Sequence, residues 1–182
     1  MEIEAVVLTG GASRRMGFDK SKLQIAGEES ALRIARLLKE IGLKVTIFGP
    51  DGQADVMPNS GPLAALANYI PKTKWVFVAS CDLPLFDVKI VLELKKWIES
   101  YDAALPVIDG RAQPFCGLYS QSAISKAAEF DAIGETRVMK WIDSLNVKFI
   151  NQETISASGL NPDCVRGANT PEEWSSLVSK IQ

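Results

Sequence analysis

The chain has 182 residues, of which 47% are hydrophobic and 23% charged, and these proportions predict a single globular domain over residues 1–182. Its net charge of −2 at neutral pH argues against the broadly basic surface of a nucleic-acid-binding protein. The chain contains no histidine, which excludes Ser-His-Asp and Cys-His catalysis and argues against zinc or copper sites of the usual kind.

Neither the cysteines nor the N-terminus indicate export or membrane insertion. Cys81, Cys116 and Cys164 are widely separated and lack C-x-x-C spacing, so we expect reduced thiols in the core. The chain begins with acidic rather than basic residues, and no apolar run approaches the roughly 20 residues that cross a bilayer. We therefore expect a cytoplasmic protein without membrane partners.

Apolar runs of strand length alternate with amphipathic helices in the first hundred residues. The predicted elements are a strand at 3–8, a helix at 31–41, a strand at 44–48, a helix at 63–69, a strand at 75–79 and a helix at 87–100. The strands are continuously apolar, which is typical of a parallel sheet covered on both faces by helices. This alternation predicts an α/β fold.

The pattern loosens after residue 100 but continues to the end of the chain. It predicts strands at 103–107 and 115–119 around the turn Asp109-Gly110, helices at 122–130 and 137–145, a strand at 147–150, a surface loop at 156–159 and a helix from Pro171. In open parallel sheets, ligands bind beyond the carboxyl ends of the strands. The segments that follow Leu8, Phe48, Ala79 and Val107 are therefore the candidates for a binding site.

Several residues are predicted to begin or end these helices. Gly42 follows the first helix, where a C-terminal glycine is common, and Asp87 is positioned as the N-cap of the third. In the last helix, Thr170 is positioned as N-cap, with Pro171 at the first helical position and Glu173 at the third.

The segment 8–20, LTGGASRRMGFDK, directly follows the first strand and combines three glycines with three cations. Glycine lets a phosphate approach backbone N–H groups closely, and Arg14, Arg15 and Lys20 outweigh the single acid Asp19. Because the whole chain is slightly acidic, this local positive charge indicates a small anionic ligand. The alternative is a flexible glycine turn with solvated arginines.

Two common phosphate-binding patterns do not fit this segment. The nucleoside-triphosphatase loop requires G-x4-G-K-[ST], whereas five residues separate Gly11 from Gly17 and Phe18 follows. The dinucleotide pattern G-x-G-x-x-G is also absent, and the second strand ends without the acid that would bind a ribose hydroxyl.

Two further segments have chemical content. Asp82 follows the third strand at the same predicted edge as the glycine segment, where its carboxylate could bind Mg²⁺ on a nucleotide; alternatively, it caps a turn before Pro84. Gly61-Pro62 opens the second helix, whose N-terminus could receive ligand oxygens or could be a helix start and no more.

Four segments together resemble those of the molybdenum cofactor guanylyltransferases. They are LTGGASRRMGFDK at 8–20, GPLAAL at 61–66, CDLP at 81–84 and NTPEE at 169–173. The first belongs to a broad superfamily of nucleotidyltransferases, whereas GPLA and NTPEE favour the guanylyl branch. The resemblance implies a three-layer α/β/α, Rossmann-like nucleotidyltransferase fold with a mostly parallel central sheet.

The resemblance also implies a reaction, in which GMP passes from GTP to molybdopterin while Mg²⁺ is required and pyrophosphate is released. The attacking phosphate is already ionised and needs no general base, which agrees with the absence of histidine. Besides GTP and molybdopterin, we expect transient contacts with proteins that make or accept the molybdenum cofactor.

By motif, the resemblance implies roles for individual residues. Lys20 and Asp82 would be catalytic, Asp82 would ligate Mg²⁺, and Asn169 would lie on the acceptor side. Arg14, from the charge of the glycine-rich segment, is predicted to be catalytic as well. The residues that the resemblance implies in GTP binding are Leu8, Thr9, Gly10, Lys20, Asp55 and Asp82, and the glycine-rich segment and the second helix start add Gly11 and Gly61 to this prediction. Gln113 and Gly167 depart from the residues common in the family, and both fall on the presumed acceptor side.

Other functions are compatible with parts of this pattern. The same fold could use CTP with molybdopterin, or a sugar or alcohol phosphate as acceptor; the cytidylyl branch, however, usually carries a serine-rich segment in place of GPLA. A nucleotide-binding regulator without turnover would be indicated by loss of Lys20 or Asp82, and both are present.

Overall fold

The structure is a computed structural model that describes residues 2–9, 23–49 and 61–181. Its strands are β1 (Ile3–Leu8), β2 (Gln24–Ile25), β3 (Glu28–Glu29), β4 (Lys44–Phe48), β5 (Trp75–Ser80), β6 (Ala103–Ile108), β7 (Arg111–Ala112), β8 (Cys116–Ser120) and β9 (Val147–Asn151). Its α-helices are α1 (Ser30–Glu40), α2 (Pro62–Ala67), α3 (Lys89–Lys95), α4 (Gln121–Ala132), α5 (Val138–Asp143), α6 (Gln152–Ala157) and α7 (Pro171–Val178). Short 3-10 helices cover Ile98–Ser100 and Pro162–Val165.

In the described ranges, seven strands form one mixed sheet in the order β4-β1-β5-β8-β6-β7, with β9 paired to the opposite side of β6. β1 is parallel to β4 and β5, and β6 is parallel to β9. β8 runs antiparallel to both of its neighbours, and the short β7 runs antiparallel to β6. The predicted α/β fold with a mostly parallel sheet is confirmed.

The sheet separates two hydrophobic cores, because alternate side chains of a strand point to opposite faces. Ala5 and Val7 of β1 pack in a core with residues of α1, α3 and α6. Val6 and Leu8 pack in a second core with residues of α2, α4 and α5. Helices therefore cover both faces of the sheet, which explains why β1 is continuously apolar.

A smaller cluster lies apart from these two cores. It joins Leu23 and Ile25, which lie directly before and within β2, to Trp174 and Leu177 of α7, and Ala168 is buried among them. The cluster anchors the chain immediately before α7.

Four predicted details are wrong. The N-cap of α3 is Val88 rather than the predicted Asp87, whose carboxylate accepts a hydrogen bond from the Lys89 N–H at 2.9 Å. The helix predicted at 87–100 is divided into α3 and the 3-10 helix at Ile98–Ser100. The loop predicted at 156–159 begins inside α6, whose start is capped by Asn151: its side chain accepts a hydrogen bond from the Thr154 N–H at 3.0 Å. The turn Asp109-Gly110 joins β6 to the short β7 rather than to the strand predicted at 115–119.

The parallel strands β1, β4 and β5 bring their carboxyl ends to one edge of the sheet. In the strand register, Leu8 lies between Phe48 of β4 and Ser80 of β5. The segments that leave these three strands therefore start side by side. No helix in the described part of the chain has the length and apolar character needed to span a membrane.

Candidate functional site

Thr9 is the last described residue before Gly10, and the end of β1 that leads to it is held from both sides. Its backbone N–H donates to the Phe48 carbonyl at 3.0 Å, and its hydroxyl lies 3.4 Å from the same oxygen. On the β5 side, the Cys81 N–H donates to the Leu8 carbonyl at 3.0 Å. Leu8 and Thr9 are only 2% and 3% exposed. The glycine-rich segment therefore leaves the sheet from a fixed point.

Asp82 lies two residues beyond the end of β5, at the same edge, and is half-buried. The Ser80 hydroxyl donates to its Oδ1 at 2.5 Å. Ser80 is itself fixed, because its N–H donates to the Phe115 carbonyl at 2.8 Å, which continues the pairing of β5 with β8. The structure thus places a carboxylate next to the point where β1 ends, as the sequence predicts.

The segment before α7 also reaches Asp82. The Ala168 N–H donates to the main-chain oxygen of Asp82 at 2.9 Å. Gly167 lies so close to the carboxylate that a Cβ built on it would stand 3.3 Å from Oδ1. Asn169 is the next residue along the chain and is exposed. The structure therefore brings the predicted acceptor-side segment against the predicted metal ligand.

The start of α7 has the predicted capping arrangement. The Thr170 hydroxyl accepts a hydrogen bond from the Glu173 N–H at 3.2 Å, and Pro171 occupies the first helical position. The Glu173 carboxylate accepts in turn from the Asn169 N–H at 2.6 Å. These bonds explain Thr170 and Glu173 structurally and fix the main chain of Asn169.

Gly61 precedes α2 with φ of +91°, a left-handed conformation that favours glycine. Pro62 follows at the first helical position, so the predicted helix start is confirmed. A ligand role for Gly61 stays a prediction. Five other predicted site residues lie outside the described residues, and their roles also stay predictions: Gly10, Gly11, Arg14, Lys20 and Asp55.

A network of ion pairs holds the chain at Arg166, directly before the segment 167–169 that contacts Asp82. Arg166 places Nε 2.8 Å from Asp163 Oδ1 and Nη1 2.8 Å from Asp109 Oδ2. Lys180, beyond α7, pairs with Asp163 Oδ2 at 2.8 Å. Hydrogen bonds from Lys180 and Arg166 hold the pKa of Asp163 below its usual value. The network ties the β6–β7 turn, the second 3-10 helix and the end of α7 together.

The cysteines have the environment expected of core thiols. All three are buried thiols, and none of the three is part of a disulfide. Burial raises the pKa of Cys164 to about 12 and raises the pKa of Cys116 well above its usual value. A thiol with so high a pKa is a poor nucleophile near neutral pH, so these two side chains are structural.

The fit of a magnesium ion depends on Asp82. Within residues 2–9, 23–49 and 61–181, no three acidic or cysteine side chains form a metal-binding group. Mg²⁺ commonly keeps several waters and takes one or two carboxylates together with substrate phosphates. One carboxylate at Asp82 therefore fits an ion that arrives with a polyphosphate.

Sequence reasoning missed Ser80 and Arg166. Ser80 lies two residues before Asp82, and a hydroxyl at the end of a strand is a signal that could have identified it. Arg166 contacts Asp109, which lies 57 residues earlier (166 − 109) and gives no local signal.

Comparison with known proteins gives a consistent result. A family model described as the MobA-like NTP transferase domain matches residues 5–149. The probable molybdenum cofactor guanylyltransferase of Bacillus subtilis is 29% identical over 192 residues, which cover 96% of this chain and 94% of the relative. A protein of the same name from Pelotomaculum thermopropionicum is 25% identical over 185 residues, covering 95% of this chain and 90% of the relative.

Solved structures share the fold. Molybdopterin-guanine dinucleotide biosynthesis protein A from Archaeoglobus fulgidus gives a TM-score of 0.80 at 18% identity, covering 98% of this chain and 100% of the other. The 2-C-methyl-D-erythritol 4-phosphate cytidylyltransferase of Thermus thermophilus gives 0.65 at 14% identity, covering 98% and 100%. At such identities, the likeness shows the fold alone.

Proposed function

This chain belongs to the MobA-like NTP transferase domain family and is a nucleotidyltransferase of molybdenum cofactor biosynthesis, and we propose that it transfers GMP from GTP to molybdopterin. The family resemblance predicted from four sequence segments is confirmed by the match over residues 5–149. The structural observation that supports the proposal is the meeting of the end of β1, Asp82 and the Asn169 segment at one edge of the sheet.

The proposed reaction is an in-line displacement at the α-phosphorus of GTP. An oxygen of the acceptor phosphate forms a bond to this phosphorus while the bond to the bridging oxygen breaks. Pyrophosphate leaves with the electron pair of the broken bond. Since the attacking oxygen is already ionised, the protein needs to align two phosphates and stabilise negative charge, and it needs no base.

Each predicted site residue has a place in this proposal. Arg14 and Lys20 bind the triphosphate, Gly10 and Gly11 supply backbone N–H groups, and Leu8 and Thr9 fix the start of that segment. Asp55 and Gly61 contact the nucleotide, and Asn169 faces the acceptor. Asp82 holds Mg²⁺, which when bound neutralises charge on the triphosphate.

Location and partners follow from the same proposal. Both substrates are small molecules that bind beyond the strand ends. We expect the reaction to take place in the cytoplasm, with transient contacts to proteins that make or accept the cofactor.

A second candidate is transfer of another nucleotide on the same scaffold. The fold is compatible with it, since a cytidylyltransferase shares this fold at a TM-score of 0.65. Against it, the chain carries Gly-Pro-Leu-Ala at 61–64, and the curated relatives reported above are named guanylyltransferases. The acceptor could likewise be a sugar or alcohol phosphate.

The test compares nucleotides first and acceptors second. A ligand that binds only the folded state stabilises it by about 2.7 kcal/mol at a hundred times its Kd, so the unfolding temperature reports binding. We expect GTP with Mg²⁺ to raise this temperature more than CTP, ATP or UTP does. Pyrophosphate release from GTP should then require molybdopterin and should not occur with a panel of sugar phosphates. Preference for CTP would overturn the guanylyl assignment.

A further inference from the structure

Two residues from distant parts of the chain restrain the carboxylate of Asp82. The Ser80 hydroxyl donates to Oδ1 at 2.5 Å, and the backbone of Gly167 passes alongside the same oxygen. We propose that Ser80 and Gly167 are positioning residues that set the orientation of the Asp82 carboxylate and thereby its affinity for a divalent metal on the nucleotide. This proposal rests on the function proposed above, in which Asp82 holds the metal.

Ser80 is a rigid support for this orientation. It is the last residue of β5 and lies opposite Leu8 of β1. Its N–H donates to the Phe115 carbonyl at 2.8 Å, and the next residue, Cys81, is 3% exposed and donates its N–H to Leu8. The main chain that carries the hydroxyl is therefore fixed, and the hydroxyl donates to Oδ1 from a fixed Cα position.

Gly167 is an equally fixed support on the other side. Ala168 bonds the main-chain oxygen of Asp82, and its side chain is fully buried in the cluster with Leu23 and Trp174. Arg166, the preceding residue, is held by Asp109 and Asp163. Moving the segment away from Asp82 would break the Ala168 hydrogen bond and disturb its cluster, so we expect a side chain added at Gly167 to displace the carboxylate instead.

The size of this displacement follows from the distances. A Cβ at position 167 would stand 3.3 Å from Oδ1 and 3.7 Å from Cγ of Asp82. A contact of 3.3 Å is tighter than ordinary van der Waals contact, so the carboxylate would shift by a few tenths of an ångström. Groups that orient a metal ligand typically change metal affinity by about 10- to 100-fold when removed. A small shift at this point is therefore expected to be measurable.

The test measures metal-dependent binding of GTP and does not depend on turnover. The Kd for GTP is determined by calorimetry in excess Mg²⁺ and again in EDTA, without an acceptor. The ratio of the Kd in EDTA to the Kd in Mg²⁺ reports how much the metal strengthens GTP binding. We expect Ser80→Ala and Gly167→Ala to lower this ratio about tenfold. Their Kd in EDTA should equal that of the wild type, because neither change touches the nucleotide itself.

Matched variants separate positioning from loss of structure. Ser80→Thr retains the hydroxyl and should therefore keep the wild-type ratio. Ser125→Ala removes an exposed hydroxyl on α4 that donates to the Gln121 carbonyl of the same helix, and it should have no effect. Unfolding temperatures measured in parallel show whether each variant is folded.

The outcomes distinguish this proposal from the function on which it rests. If Asp82→Asn lowers the ratio while Ser80→Ala and Gly167→Ala do not, the positioning role is overturned and the metal role of Asp82 stands. If Asp82→Asn itself leaves the ratio unchanged, Asp82 does not bind the metal, and both ideas are overturned. If Asp82→Asn, Ser80→Ala and Gly167→Ala all lower the ratio while Ser80→Thr keeps the wild-type value, the positioning role is supported.

Discussion

A carboxylate that receives a metal ion and a triphosphate is most effective when its position is fixed before they bind. Asp82 meets this requirement through its main chain as well as its side chain. Its carbonyl accepts from Ala168 and its carboxylate accepts from Ser80. At the scale of single residues, the site is therefore organised by hydrogen bonds that involve no ligand.

The first prediction concerns the charge of Asp82. Asp82→Asn keeps the size of the side chain but replaces the carboxylate with a neutral amide, which is a much weaker ligand for Mg²⁺. We expect kcat for GMP transfer to fall by about 10² or more, the loss typical of removing one transition-state charge interaction. Steady-state pyrophosphate release measures this change.

The matched control is Asp143→Asn, which makes the same replacement at an exposed position at the end of α5. It should retain wild-type turnover, and circular dichroism should show both variants folded. Wild-type turnover in Asp82→Asn would remove Asp82 from catalysis.

Residues differ in how far the sequence reveals them. Asp82 could be predicted because it follows an apolar run, and the carboxyl ends of parallel strands share an edge. The contact between Gly167 and Asp82 spans 85 residues (167 − 82) and depends on how α7 and its cluster pack. Periodicity describes local structure, so it carries no information about such contacts.

At the scale of elements, α7 determines where the predicted acceptor-side segment, residues 167–169, lies. Its buried residues Trp174 and Leu177 pack with Leu23. Its capped start follows Ala168, whose N–H donates to the main-chain oxygen of Asp82. The cap therefore contributes to the site as well as to the helix.

The second prediction concerns this cap. Thr170→Ala removes the oxygen that accepts from the Glu173 N–H and leaves a donor at the helix start without that partner. We expect the free energy of unfolding to fall by about 1 kcal/mol. Urea unfolding measures this value from the midpoint at constant slope. Thr170→Ser keeps the oxygen and should lose little; an equal loss in both variants would show that the hydroxyl is not the source.

Elements could be predicted where a regular apolar pattern ran along their whole length, and not elsewhere. The stripe that includes Ile34 and Leu38 predicted α1, and both side chains are fully buried. α6 was missed because it buries only Ile155, which gives no periodicity to detect. The reversed direction of β8 was also not predicted, since an apolar run reads the same in a parallel and an antiparallel strand.

At the scale of the whole molecule, ion pairs link elements that are distant in sequence. Asp163 joins Lys180 and Arg166, and its side chain is 21% exposed. Ion pairs of this kind contribute up to about 1 kcal/mol each, because solvent screens them. Their contribution should therefore appear as a modest dependence of stability on pH.

The third prediction gives the direction of this dependence. The pKa of Asp163 is lowered in the folded protein, so near the unfolded value of about 3.9 the unfolded chain binds more protons. Stability from this group is complete above that value and is lost as the pH falls through the lower folded pKa. The difference in unfolding free energy between the wild type and Asp163→Asn should be largest at pH 6 and should shrink below about pH 4.

Urea unfolding at a series of pH values measures this difference, and Asp143→Asn provides the comparison at an exposed carboxylate. Ion pairing at Asp163 predicts convergence of wild type and Asp163→Asn in acid, since protonation removes from the wild type what the substitution removes from the variant. A difference that stays constant down to low pH would mean that Asp163 stabilises the fold through hydrogen bonds and packing that do not require its charge. The network would then link α7 to the β6–β7 turn without any contribution from the charge of Asp163.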